Sequence, residues 1–137
     1  NSGADPSFVA NTLRGNGGRM EDVLKRFGLT DTNAYSTYNV ASGNILDNKN
    51  VSAIINDPAS WDQYIITGGT KGISDSTFLD RTYDIVGNHA YTVEPFMSDG
   101  GETLFRITNP WHTNKTVVLT KDQMNKFFTN LTFTKIK

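Results

Sequence analysis

Apolar and polar residues change their period several times along the chain, and each change marks an element. Two runs rich in β-branched and aromatic side chains, 89–97 (His-Ala-Tyr-Thr-Val and onward) and 102–108 (with Thr-Leu-Phe-Arg-Ile-Thr), are read as strands. Between them stands Ser98-Asp99-Gly100-Gly101, a turn signal in which glycine takes a positive φ without steric cost. Met20, Val23, Leu24 and Phe27 recur at helical spacing, which predicts a helix over Glu21–Phe27 that stops at Gly28. A second helix is expected after Thr120. Thr120 is its N-cap, Gln123 closes a capping box, and Leu119 staples against Met124.

The remaining segments carry weaker patterns. Residues 1–19 read as a short helix or loop, with the helix over Asp5–Leu13, ending in the glycine turn Gly15–Gly18. The polar stretch Thr30–Lys49 is mostly loop, with a short strand near Tyr38-Asn39-Val40. Val51–Ile55 suits a brief helix ending before Pro58, and Trp61–Ile66 reads as strand or helix, with a strand favoured from Tyr64. Further strands are expected at Tyr83–Val86, Thr116–Leu119 and Leu131–Ile136. Several antiparallel strands with few helices give an α+β class, built on a curved antiparallel sheet or partial barrel.

At 137 residues the chain is one domain's worth, spanning 1–137 with a core of its own. Thirteen basic against fourteen acidic residues leave a net charge of −1, which gives no reason to expect nucleic acid or an anionic membrane as partner. No run approaches the roughly 18 apolar residues of a membrane span. Cysteine is absent altogether, so disulfides are excluded. Abundant asparagine and threonine lean towards a secreted or cell-surface protein over a cytoplasmic one. Three N-x-S/T triplets, at Asn50, Asn114 and Asn130, are matches that an Asn/Thr-rich chain supplies by chance. Gly68-Gly69-Thr70-Lys71-Gly72 lacks the spacing of a phosphate loop, which argues against nucleotide binding.

The hairpin carries the candidate chemistry. With Asp99-Gly100-Gly101 as a three-residue loop, Ser98 pairs with Glu102, Tyr91 comes opposite Asn109 and His89 opposite Trp111. His89 and Asn109 are then diagonal neighbours on one face, at a backbone separation of roughly 7–8 Å that side chains can bridge. A two-residue loop would put them on opposite faces instead. A histidine beside an asparagine is what a thiol protease needs. A cysteine thiol, with a pKa of about 8.5, is mostly protonated at neutral pH until a neighbouring imidazolium favours the thiolate. The imidazole must be held in one orientation, and an asparagine oxygen can accept its far N–H. Trp111 is placed to shield that hydrogen bond from water, and Pro110 biases Asn109 towards extended backbone.

His89-Ala90-Tyr91-Thr92-Val93 with Asn109-Pro110-Trp111 resembles the G-H-A-Y-S-V and N-P-W-G motifs of calpain-like cysteine proteases. The resemblance is sharp over 85–111. Elsewhere only the order of elements agrees: Gly17-Gly18 before a helix, the strand and loop from Ile65 to Ser74, and the helix and strand of Thr120–Lys137. That family has a papain-like fold in two subdomains, the first with the cysteine and an oxyanion-hole glutamine, the second with histidine and asparagine. The resemblance implies that this chain is the second, β-rich subdomain. It implies His89 and Asn109 as catalytic residues, Trp111 as their shield, and Gly68, Gly69, Gly87 and Asn88 as candidates for lining the substrate cleft. Three positions depart from the pattern. Asn88 replaces the glycine before the histidine, His112 replaces the one after N-P-W, and only Thr113-Asn114-Lys115 stands where animal calpains insert an acidic calcium-binding segment. The resemblance therefore implies no cofactor or metal in this chain, and calcium only through the cysteine-bearing subdomain.

Two functions follow, from different classes. In the first, the chain is the His/Asn half of a cysteine endopeptidase, inactive alone, and its partners are the cysteine-bearing half and a peptide or protein substrate. In the second, it is a catalytically inactive protease-like module that binds peptide or a partner protein. Retention of both His89 and Asn109 favours the first, and the start at Asn1 without an initiator methionine is what a fragment is expected to have.

Overall fold

A computed structural model describes residues 28, 31–72, 78–80, 85–109 and 115–136. The expected helices at Asp5–Leu13 and Glu21–Phe27 lie outside the described residues, as do Pro110, Trp111 and His112. Gly28, the expected helix stop, has φ +72°, the left-handed conformation of a C-terminal cap.

Eight strands and two short α-helices make up the described fold. In chain order they are β1 (Thr32–Ser36), α1 (Lys49–Ile55), β2 (Tyr64–Thr70), β3 (Phe78–Asp80), β4 (Ile85–Val86), β5 (Ala90–Met97), β6 (Thr103–Thr108), β7 (Thr116–Leu119), α2 (Lys121–Phe127) and β8 (Phe128–Lys135). Six strands form one antiparallel sheet in the order β1-β8-β2-β5-β6-β7, and β3 pairs with β4 in a separate ribbon. This is the expected α+β class. The sheet is curved and open rather than a closed barrel, with β1 and β7 as its ends.

The β5–β6 hairpin has the three-residue loop. Ser98 N–H donates to Glu102 O at 2.8 Å, Gly101 N–H donates to Ser98 O at 3.0 Å, and Gly101 takes φ +82°. Gly101 is thus the left-handed bulge residue that lets a turn of this length join twisted strands. The ladder then pairs Val93 with Ile107 and Thr92 with Thr108, which puts Tyr91 and Asn109 next in line.

Alternation along the strands sends one set of side chains into the core. Ile66, Tyr91, Val93, Phe105, Ile107, Leu119, Leu131 and Phe133 pack there with Ile45 and Leu46 of a 3-10 turn, Val51 and Ile55 of α1, and Met124 and Phe127 of α2. The opposite face carries a cross-strand row of five threonines, Thr132, Thr67, Thr92, Thr108 and Thr116, one from each of β8, β2, β5, β6 and β7. Their β-branched side chains suit a pleated surface, and two of the hydroxyls, on Thr108 and Thr116, bond each other at 3.1 Å.

Both helices are fixed by their starts. The Asn48 side chain accepts from the N–H groups of Asn50 and Val51 ahead of α1. At α2 the expected capping box is present: Gln123 N–H donates to Thr120 Oγ1 at 3.3 Å and Thr120 N–H donates to Gln123 Oε1 at 2.9 Å.

Two local expectations differ from the structure, and a third, the strand from Tyr64, holds with a 3-10 turn ahead of it. The early strand is Thr32–Ser36, not near Tyr38, because Asn39 takes φ +62° and turns the chain there. A 3-10 turn over Pro58–Gln63 precedes β2, with the Trp61 indole donating to Ile54 O at 3.1 Å. The last strand starts at Phe128, three residues earlier than expected, since the residue that caps α2 already has extended backbone.

Candidate functional site

His89 sits where the chain enters β5, directly after a left-handed residue. Asn88 has φ +52°, a conformation that asparagine tolerates better than other non-glycine residues. Gly87 before it is buried, in the turn from β4, and Asn88 is exposed. Asn88 N–H donates to Lys71 O at 2.8 Å, which ties the turn to the end of β2. Asn109 lies one residue beyond the end of β6.

These two residues meet. His89 Nε2 is 3.1 Å from Asn109 Oδ1, and both side chains are partly buried. An amide oxygen can only accept, so the contact is a hydrogen bond in the tautomer that carries a proton on Nε2, which leaves Nδ1 as the basic nitrogen. The Tyr91 ring meets the imidazole edge-on, with centroids 5.0 Å apart and planes at 78°. Tyr91 is held in turn by its hydroxyl, which accepts from Val86 N–H at 2.9 Å, and by an edge contact with Phe128 at 6.1 Å. A histidine held in one tautomer and orientation can act as a general base and then as a general acid. A nucleophile is still needed. The nearby hydroxyl of Thr70 is taken up by backbone groups, and the residue is only 4% exposed.

The four cleft candidates divide. Gly87 and Asn88 form the turn that presents His89. Gly68 and Gly69 lie in the middle of the sheet, between β5 and β8. A side chain at Gly68 would start 2.8 Å from the Phe128 ring and 2.9 Å from Leu131, so core residues occupy its place. At Gly69 the place is taken by the Asn130 amide, whose Oδ1 accepts from Gly69 N–H at 3.1 Å. Both glycines are there for close approach within the fold, and Asn130 covers the second.

Sequence reasoning missed Thr70 and Asn130. Each acts on a residue far along the chain, through a pairing that no local spacing reveals. Among the described residues no three of His, Cys, Asp and Glu gather as a metal site. Comparison with protein-family models returns no match, and no curated protein matches the chain, so the reading of this site rests on its own geometry.

Proposed function

We propose that this chain supplies the histidine and asparagine of a cysteine endopeptidase whose thiol lies on a cysteine-bearing half outside these residues, in the manner of the β-rich subdomain of a calpain-like, papain-fold protease. One observation carries the reading: the 3.1 Å contact between His89 Nε2 and Asn109 Oδ1, on a hairpin whose register brings the two together. In that chemistry His89 Nδ1 takes the thiol proton, and the thiolate attacks the carbonyl carbon of a peptide bond. The imidazolium then gives the proton to the leaving amine as the C–N bond breaks. Water, with His89 again as base, hydrolyses the resulting thioester and restores the thiol. Asn109 keeps the ring in the tautomer that this requires, and Trp111 is assigned the shielding role. Calcium, if used, belongs to the cysteine-bearing half.

A second reading follows from the lack of any cysteine in the chain: a protease-like module that binds peptide without cutting it. One experiment separates the two. The protein is isolated from its native source, and its intact mass, terminal sequence and co-purifying chains are determined. A longer precursor or a bound chain with a Gln…Cys-Trp segment supports the endopeptidase. Replacing His89 by Ala in that assembly should then lower peptide cleavage by about 10²–10⁴-fold, the usual worth of a general base. A native protein that travels alone and begins at Asn1 rules this hydrolysis out and leaves peptide binding.

A further inference from the structure

We infer that Thr70 is the positioning residue for His89. This goes beyond the proposed function and rests on it only in treating His89 as the working base. The β2–β5 ladder runs from Ile66–Val93 to Gly69–Ala90, and the next partners would be Thr70 and His89. Half of that next step is regular: Thr70 N–H donates to His89 O at 3.0 Å. The other half is not. His89 N–H donates to the Thr70 hydroxyl oxygen at 2.9 Å, in the place where a ladder would use a main-chain carbonyl. The hydroxyl proton goes to Val86 O at 2.7 Å, and His89 O lies 3.1 Å from the same oxygen.

One buried hydroxyl therefore joins both sides of the turn that holds Asn88 in its left-handed conformation. It ties the end of β4 at Val86 to His89, the residue before β5. The Thr70 hydroxyl is itself fixed from behind. The β2–β8 register shifts between Gly69 and Thr70, with Gly69 opposite Asn130 but Thr70 opposite Phe128. Such a bulge re-aims the side chain beside it, and the Asn130 amide pins it through Gly69 N–H. The direction in which the His89 side chain leaves the backbone, and hence its reach to Asn109, is set by this arrangement.

The test reads the ring, not catalysis. The chain has two histidines, so the ¹⁵N shifts of His89 can be assigned with a His112→Gln variant, and the ratio of Nε2–H to Nδ1–H tautomer follows from them. Thr70→Val keeps the shape and β-branching but removes the hydroxyl; the ratio should fall about tenfold, the loss of one typical hydrogen bond. Thr70→Ser keeps the hydroxyl and should restore it. Thr134→Val removes an equally buried threonine hydroxyl on the far side of the sheet, bonded to Thr32 at 3.0 Å, and should leave the ratio unchanged. An unchanged ratio in Thr70→Val, or an equal fall in Thr134→Val, overturns the inference. Should Thr70→Val not fold, amide exchange in the unaltered protein decides. His89 N–H must be protected like the strand amides, and exchange as fast as an exposed turn amide refutes the hydroxyl contact. If the cleavage assay fails while the tautomer result holds, the protease reading falls and the role of Thr70 stands.

Discussion

Gly68→Ala adds one methyl group at the middle of the sheet, and the structure states what that methyl would meet. Two atoms of the Phe128 ring lie 2.8 Å from its position and a Leu131 methyl carbon lies 2.9 Å away. Carbon atoms rest at about 3.5–4.0 Å, so the ring or the strand must move by more than half an ångström. Neither moves easily. Phe128 and Leu131 are fully buried, and β8, which carries them, is paired on both sides. Overpacking of this kind costs about 1–3 kcal/mol. Backbone strain plays no part, because Gly68 is not among the residues with positive φ. In urea, where small proteins lose about 1–3 kcal/mol of stability per molar, the midpoint should fall by about 1 M at unchanged slope. Gly72→Ala is the matched control: nothing lies within 4 Å of its added carbon and its φ is ordinary, so stability should hold or rise by about 0.4–1 kcal/mol. Phe128→Leu placed on Gly68→Ala should return part of the loss, since it removes the ring that clashes. A midpoint that does not move in Gly68→Ala would refute the packing account.

Other outcomes follow from single contacts. Asn88→Val should lower the melting stability by about 1–2 kcal/mol, the cost of a left-handed φ for a β-branched residue, while Asn88→Gly should stay within about 1 kcal/mol of the parent. Thr120→Ala removes the hydroxyl half of the capping box and should cost about 1 kcal/mol in a denaturant titration. Asn109→Ala should broaden or shift the His89 ring ¹⁵N signals without unfolding the sheet, because it takes away the partner of Nε2 at the end of β6; signals identical to the parent would contradict that contact.

The parts of this fold that can be read from sequence are those whose causes are local. Asp99-Gly100-Gly101 dictates its own loop length, and loop length dictates register, so the meeting of His89 with Asn109 follows from residues close together in the chain. Thr120 and Gln123 announce α2 for the same reason. β1 escaped because Thr-Asn-Ala-Tyr-Ser has no apolar alternation; its partners on β8 hold it, and they lie about a hundred residues away. Phe128 escaped because no glycine or proline separates it from α2, and its extended backbone comes from pairing with Thr70. The Thr70 hydroxyl was illegible for a different reason. A threonine after two glycines reads as loop, and only the bulge opposite Asn130 gives it work to do.

The placement of β8 between β1 and β2 has a consequence for how the protein is made. β1 and β2 are translated early, yet neither bonds the other in the finished sheet. Each waits for residues 128–135 to arrive between them. While the chain is emerging, β2 can pair only with β5, and β1 has no partner among the described strands. The sheet is thus completed by insertion between two strands rather than by addition at an end. Because that step closes long loops, it is expected to be slow and to set the folding rate. Until it happens, the nascent protein presents two incomplete strands that a chaperone, or a second nascent chain, can engage.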